Sequence, residues 1–557
     1  MKNRYAQCAI AILAGFLLLP SNLPAQAPAN PAPTGLVQDW TQHHILFSRD
    51  ALLKNLGLLT AEPRIAHRLI QRWQLPQSTV VDAAPNVGSG SDPQRDWNVS
   101  LGLGRIAANM FPAKFSFDPG AAPDCTNDFV AFGLNRVGAV NQANLVAFNN
   151  LYSGSLPAGL CGAAPSFLFA YNISTIAAGR ISTSPALSLD GKKIAFVETG
   201  NIAGVSTSIF HVVTWATGAG NGTSATLPAV PGVGNSASMT SLTYAAAALD
   251  TRSSVWVDYN TDTAYVGADD GRLYKITGVF KGTPALAGAP WPVLLAVNIR
   301  VSSPVLDKNL GLVMVGIQNG TYYSVNASTG VVKSLVVGLS GATNPGILAA
   351  PMVDVTNGTS FVVSANDGTS GVFVEVNSAT MTKLAVGRIG QASKSGTAIS
   401  LFQPAFSDAY FNDPTTGTAR LCGTGAADNS PWQYAFGGFT LVGGKYVMNT
   451  TPTFSQQLLT STTSRCTEWT EFFNPNVGVG GTDFFFFGLT ANCTGPATSG
   501  CVVARNQDGS LTTANVAGGP SGIVVDNYST AAQASNIYLT GVAAPNLAIK
   551  LTQNGLQ

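Results

Sequence analysis

Eight times along the chain a short strand stops on an Asp or Asn, and each time two further apolar strands follow. The anchors are Asn135, Asp190, Asp258, Asp307, Asp354, Asp408, Asn474 and Asp526. The second strands read NLVAF, KIAFV, TAYVG, LVMVG, SFVVS, ARLCG, DFFFF and NIYLT, and the third read SFLFAY, IFHVVT, RLYKI, TYYSV, VFVEV, WQYAF, CVVAR and LAIKL. One such small sheet cannot cover its own faces, so a repeat of about 50 residues built from short strands is stable only when sheets stack on neighbours. The expected fold is all-β, an eight-bladed β-propeller over residues 97–557, with seven blades the alternative if the irregular unit at 115–173 packs differently.

Ahead of the repeats, Lys2 and Arg4 precede an apolar run from Ala9 to Leu19, and small residues from Ala25 to Ala29 follow it. This reads as a signal peptide over residues 1–27. Cys8 lies before the apolar core, where a lipid-attachment cysteine would follow it, so the expectation is a released protein, secreted or periplasmic. No later stretch reaches the roughly 20 uninterrupted apolar residues of a membrane helix. Residues 28–96 read as linker and a short helical segment. Leu52, Leu53, Leu56, Leu59, Ile65, Leu69, Ile70 and Trp73 have helical spacing within 38–74, Pro63 is expected to break it, and 76–96 is a second Gly/Ser/Pro/Asp-rich linker.

Past the signal six cysteines remain, an even number in an exported chain, which points to disulfides. Their order favours local pairs, Cys125 with Cys161, Cys422 with Cys466 and Cys493 with Cys501. Closures of these lengths stabilise by about 2.5 kcal/mol for the shortest and about 4 for the longer two. Thiolate metal sites would need closely spaced cysteines or histidine partners, and neither occurs. The net charge is only +1 with 10% charged residues, and no basic patch marks a nucleic-acid surface. Such an exterior is covered by small polar residues, neutral and mildly adhesive.

The clearest unit reads SSPVLD, LVMVGIQ, Asn319-Gly320, TYYSV, NASTG, VVKSLVV; Asn-Gly between apolar runs is a strong hairpin signal, and its two central residues are expected at positive φ. Asp269-Asp270-Gly271 and Asn366-Asp367-Gly368 take the same place elsewhere. Pro185, Pro304, Pro351 and Pro404 open first strands, where a missing N–H is tolerated. The last unit ends at LAIKL with no outer strand, and WNVSLG at 97–102 is expected to pair with it and close the ring. Long connections at 214–248 and 438–465 are candidate binding loops.

The repeats SSPVLDKNLGLVMVGIQNGTYYSVNASTG and VWVDYNTDTAYVGADDGRLYKI resemble those of the quinoprotein-dehydrogenase-like (PQQ-repeat-like) propeller superfamily, well from Ser182 onward and loosely before it. The resemblance implies the scaffold, in a superfamily that holds both enzymes and non-catalytic assembly factors. Its quinone-binding members carry vicinal cysteines stacked on the cofactor. This chain has no adjacent cysteine pair, so no cofactor is expected.

Six Asx anchors are carboxylates: Asp190, Asp258, Asp307, Asp354, Asp408 and Asp526. At equivalent strand ends on one face they cap the following turns, or else form an acidic annulus that holds calcium through hard oxygens. Turn capping is the expectation, with no metal site. His43 and His44 are adjacent and cannot grip one metal from regular structure. Phe484 to Phe487 read as core. Glu468 and Glu471, at odd separation, fall on opposite strand faces and make a poor acid–base pair. With His67 and His211 the only other histidines, no Ser-His-Asp arrangement is expected. Three functions follow: a non-catalytic scaffold binding a protein or glycan, which is preferred; a cell-surface structural protein; and a channel oxidoreductase.

Overall fold

A computed structural model describes residues 35–74, 94–118, 123–154, 159–218, 220–339, 346–391, 399–474, 481–493, 499–505, 509–527 and 535–552; the expected signal peptide lies outside them. Eight antiparallel sheets form a ring. Blade 4 shows the plan, running outward from Val305–Asp307 through Leu312–Gly316 and Thr321–Asn326 to Val332–Val336. The other innermost strands are Ala113–Ser116 (blade 1), Ala186–Leu187 (2), Trp256–Asp258 (3), Met352–Asp354 (5), Ala405–Phe406 (6), Thr470–Asn474 (7) and Val524–Asn527 (8). Strands alternate up and down within each blade, so all innermost strands end on one face of the disc, here the Asx face. Near-continuous apolar runs such as Phe484 to Phe487 are buried because both faces of each sheet are covered by neighbouring blades.

The ring closes between the chain's two ends. Gln94–Ser100 pairs antiparallel with Leu547–Thr552, with Trp97 opposite Lys550 and Ser100 opposite Leu547, and supplies the outer strand of blade 8. Three disulfides are present: Cys125–Cys161 within blade 1, Cys422–Cys466 between blades 6 and 7, and Cys493–Cys501 within blade 7.

A second girdle runs around the face opposite the Asx ends. Ser253, Ser302, Thr467 and Ser521 each accept, through the side-chain hydroxyl, a hydrogen bond from a backbone N–H at the end of their own blade's second strand: Gly267, Gly316, Gly488 and Thr540. Neighbouring serines join one blade to the next, since Phe111 N–H donates to Ser184 Oγ, Ser184 N–H to Ser254 Oγ, and Ser254 N–H to Ser303 Oγ. Hydroxyl side chains just ahead of the innermost strands therefore satisfy backbone donors of their own blade and of its neighbour.

The structure corrects the sequence reading in four places. Blade 1 begins earlier than expected: its innermost strand is Ala113–Ser116, so Asn135 follows the second strand, Phe129–Gly133, and is not an Asx anchor of the inner ring. In blade 6 the inner strand ends at Phe406, and Asp408 opens a short helix, Asp408–Asn412. At Asn319-Gly320 only the glycine has positive φ (85°), and likewise only Gly271 (83°) and Gly368 (101°) in their turns. The larger correction concerns the N-terminal segment. Residues 36–46 are extended or 3-10 in conformation rather than helical, and the helices are Arg49–Lys54, Gly57–Ala61 and Pro63–Gln74. Pro63 stands at the first position of the last helix, where its missing N–H costs nothing. The expected short helical preface is present in these three helices, packed against the propeller. The segment fills the central channel.

Candidate functional site

The channel is the natural place to look for a propeller's site, and here the chain occupies it with its own residues. Leu36–Gln38 enters antiparallel to Lys114–Ser116 of blade 1, adding a fifth strand on the axial side. The chain turns through the 3-10 helix Trp40–His44 and returns as Ile45–Leu46, parallel to Val353–Asp354 of blade 5. Opposite strand directions mean that the segment enters and leaves on the Asx face, and its three helices lie in that mouth.

Contacts fix it all around the ring. Gln38 Nε2 donates to Val525 O of blade 8 at 3.0 Å, and Asp39 accepts from Leu187 N–H of blade 2 at 3.3 Å. Trp40 meets Trp256 of blade 3 edge-on at 5.8 Å, and Phe47 meets Phe411 of blade 6 at 5.1 Å. Ser48 N–H donates to Thr356 Oγ1 of blade 5. Arg68 reaches Glu471 of blade 7 at 2.6 Å and lies 3.9 Å over the Phe411 ring. Trp40, Ile45, Leu46, Phe47, Leu52, Leu58, Leu59 and Ile65 belong to the same apolar core as blades 3 to 6.

Arg64 is the pin of this arrangement. Its guanidinium is 1% exposed and donates to Thr41 Oγ1 (2.6 Å), Glu62 Oε1 (2.8 Å) and Val257 O (2.9 Å). It also stacks 4.0 Å from Trp256 and 4.8 Å from Tyr259. Five donors in a planar fork allow this combination, which an ammonium could not reproduce. Around it burial raises the Asp39 carboxyl, and burial lowers His44 to about 4 and His67 to about 4. His44 Nδ1 lies 3.0 Å from Pro351 O, a backbone acceptor, while His43 is lowered to about 3 by burial and by Arg68. Titratable groups thus gather in the channel, a pattern that would ordinarily favour an enzyme. Here Asp39, His44, Glu62, Arg64 and His67 are all buried against protein.

The Asx side chains surround this mouth without converging. Asp190 Oδ1 accepts from Lys192 N–H and Ser188 Oγ, Asp258 Oδ1 from Asn260 N–H, and Asp307 Oδ1 from Leu310 N–H. Asp258 Oδ2 also binds Thr261 Oγ1 and Lys308 Nζ. Asp354 accepts from Thr356 N–H and Asn357 N–H through Oδ1 and from Tyr410 OH through Oδ2. Asp408 Oδ2 accepts from Asn412 Nδ2, and Asp526 pairs with buried Lys114 at 2.8 Å. Asp307 Oδ2 is buried with no hydrogen-bond partner, and burial pushes this carboxyl up to about 7. Among the described residues no three His, Cys, Asp or Glu side chains come together as a metal site.

Glu468 and Glu471 part company. Glu468 is buried beside Gln403, with burial raising it to about 8, whereas Glu471 pairs with Arg68 in the plug. Glu471 also approaches Asp483, whose carboxyl is raised by burial and by Glu471.

The two long connections behave differently from the channel. Residues 221–229 lie along the outer strand of blade 1, where Ala170 N–H donates to Asn221 O and Asn172 N–H to Ala229 O. At the end of this excursion Ala143 N–H donates to Ala225 O at 2.7 Å, which brings Leu227 beside two turns of other blades. Leu103 N–H donates to Gln142 Oε1 at 2.7 Å, and a Cβ on Gly102 would lie 3.2 Å from Thr226 Cγ2. The tips of the three turns are aliphatic and open to solvent, with Leu103 63%, Val140 90% and Leu227 65% exposed. The other connection carries the hairpin Thr440–Val442 and Lys445–Val447, anchored on blade 5 where Lys445 Nζ donates to Asn357 O at 2.7 Å. Leu441 and Val442 at its tip are exposed. The sequence marked both loops by length but carried no signal for the patch, because its three members lie on turns far apart along the chain.

No family model and no curated protein matches this sequence. Among solved structures, similarity is found to BamB from Moraxella catarrhalis, at 11% identity and TM-score 0.41 over 83% of this chain and 100% of that one. The WD40 domain of Toxoplasma gondii coronin is similar at 12% identity and TM-score 0.36, over 76% of this chain and 84% of that one. Hsv2p from Kluyveromyces lactis is similar at 10% identity and TM-score 0.32, over 70% and 93%. The assignment of the fold rests on the sheet topology itself.

Proposed function

We propose that this chain is an exported, extracytoplasmic binding scaffold that engages a protein partner through the turns at the rim of blades 8, 1 and 2. One observation carries the reading: Leu103, Val140 and Leu227 come from three turns joined by the bonds Leu103 N–H to Gln142 Oε1 and Ala143 N–H to Ala225 O, and all three are largely exposed. Exposing apolar side chains on a rigid support has a free-energy cost in water that a partner surface removes. Of a protein and a glycan the patch fits the protein better, since its members are aliphatic and offer no flat ring for a sugar to stack on. The filled channel supports the same reading, because a ligand must then be met on the outside of the disc. Three disulfides accord with an oxidising compartment.

The test compares the parent with the triple variant Leu103→Ser, Val140→Ser, Leu227→Ser, which alters no buried side chain. Both are cross-linked in extracytoplasmic extract. A protein captured by the parent and depleted about tenfold with the variant is the expected result, equivalent to about 1.4 kcal/mol of binding. Capture of the same proteins in the same amounts by both would overturn the reading.

A further inference from the structure

Blade 2 holds a second chemical arrangement, unrelated to the channel and to the rim patch. Glu198 and His211 lie diagonally across the strands Lys193–Ile202 and Val205–Thr214, and His211 stands directly opposite Ser241 of the next strand, Ser238–Ala245. His211 Nε2 is 3.0 Å from Glu198 Oε2, and His211 Nδ1 is 2.9 Å from Ser241 Oγ. Both acid and imidazole have side chains 0% exposed, yet Ser241 is exposed.

The hydrogen bonds decide the tautomer. Glu198 accepts from Thr175 N–H at 3.1 Å through Oε1 and at 3.3 Å through Oε2, and its Oε2 also accepts the Thr175 hydroxyl. Gly179 closes over it so tightly that a Cβ there would lie 1.9 Å from Oε1. With Glu198 as the acceptor, Nε2 is assigned the hydrogen and Nδ1 the acceptor role toward Ser241. The Thr175 hydroxyl lies 3.4 Å from Nε2, a longer approach to the nitrogen that already faces the acid. Phe196 stacks on the imidazole at 5.3 Å and 28° and fixes its plane. Acid, oriented base and accessible hydroxyl in sequence form the constellation that activates a nucleophile, recognised by geometry and not by chain order.

We propose that Ser241 is an activated nucleophile that takes acyl groups from esters and thioesters. Ser241 Oγ attacks the acyl carbon as its proton passes to His211 Nδ1, and the imidazolium is stabilised by Glu198. The C–O or C–S bond then breaks, the alcohol or thiol leaves with that proton, and water releases the acid by the same base. The relay supplies a base and an orienting acid, which is sufficient for acyl donors with good leaving groups and points to esters and thioesters in preference to amides.

Two measurements test this. A fluorophosphonate applied to the intact protein is expected to modify Ser241 selectively, with the adduct absent in Ser241→Ala; no adduct on Ser241 overturns the proposal. Because buried-site variants can fail to fold, the second uses exposed positions only. Iodoacetamide is expected to alkylate Ser241→Cys about tenfold faster at neutral pH than Ser328→Cys, an exposed position in the turn after the third strand of blade 4, since a neighbouring imidazole lowers a thiol's pKa. Equal rates for the two thiols overturn it.

Discussion

Glu468 shows how burial turns a single carboxyl into a pH-dependent load. It lies 5% exposed beside Gln403, and burial raises it to about 8 from an ordinary 4.5. The folded protein therefore holds this proton where the unfolded chain has lost it, and stability contributed by the protonated group falls as pH climbs from about 4.5 through about 8. Glu468→Gln keeps the shape and cannot ionise. Its melting temperature is expected to match the parent near pH 4.5 and to exceed it increasingly toward pH 9; a gap that stays constant with pH would refute this. Asp354 accepts from three donors in its own turn and one from Tyr410. Asp354→Ala is expected to destabilise by about 2 kcal/mol or slightly more, at the upper end of side-chain caps. Calcium is expected to leave the parent's melting temperature unchanged, and a calcium-dependent rise abolished by Asp354→Ala would favour the cation ring over turn capping. Turn capping of this kind was legible in the sequence because an Asx bond is local. The partners of Glu468, Asp526 and His211 were not, because each comes from a different strand or blade.

The N-terminal element carries the clearest lesson about what periodicity leaves out. The apolar spacing of Leu52, Leu59 and Ile65 announced helices correctly, but a helix pattern says only that one face is buried, not against what. The channel lining shows the same ambiguity from the other side, since inner strands covered by a plug and inner strands packed on each other read alike. Arg64 was the hidden signal, one of three arginines in the helix Pro63–Gln74 and set apart from the others only once Glu62, Thr41 and Val257 O are seen around it. If the plug is integral to the fold, Arg64→Ala leaves Glu62 buried without its counter-charge and is expected to cost about 3–5 kcal/mol in denaturant unfolding. Arg64→Lys is expected to recover only part of this, because one ammonium cannot meet the three acceptors and the Trp256 face together. A loss under about 1 kcal/mol for Arg64→Ala would mean that the segment merely rests in the channel.

At the scale of the ring, stability depends on a seam that no repeat contains. Blade 8 is completed by residues from both ends of the described propeller, and the junction with blade 1 buries charges as well as apolar groups. Lys114 pairs with Asp526, Lys550 with Asp96 at 3.3 Å, and Lys550 Nζ donates to Ser153 O at 2.8 Å. Trp97 spans the seam, its ring 6.1 Å from both Phe148 of blade 1 and Tyr538 of blade 8, with Nε1 donating to Leu151 O. The missing strand after LAIKL made closure legible in the sequence, because an unpaired outer edge is costly in any propeller. The buried ion pairs were not, since they join positions hundreds of residues apart. Blades in a closed ring have two neighbours each, so loosening one seam weakens every blade's packing together and does not release one unit alone. Trp97→Ala removes a large buried side chain and is expected to cost about 3–5 kcal/mol. Calorimetry should show one transition moved to lower temperature. A second, separate transition for blades 8 and 1, with the remainder melting where the parent melts, would show that the ring unfolds by parts and that the seam is not what makes it a single cooperative body.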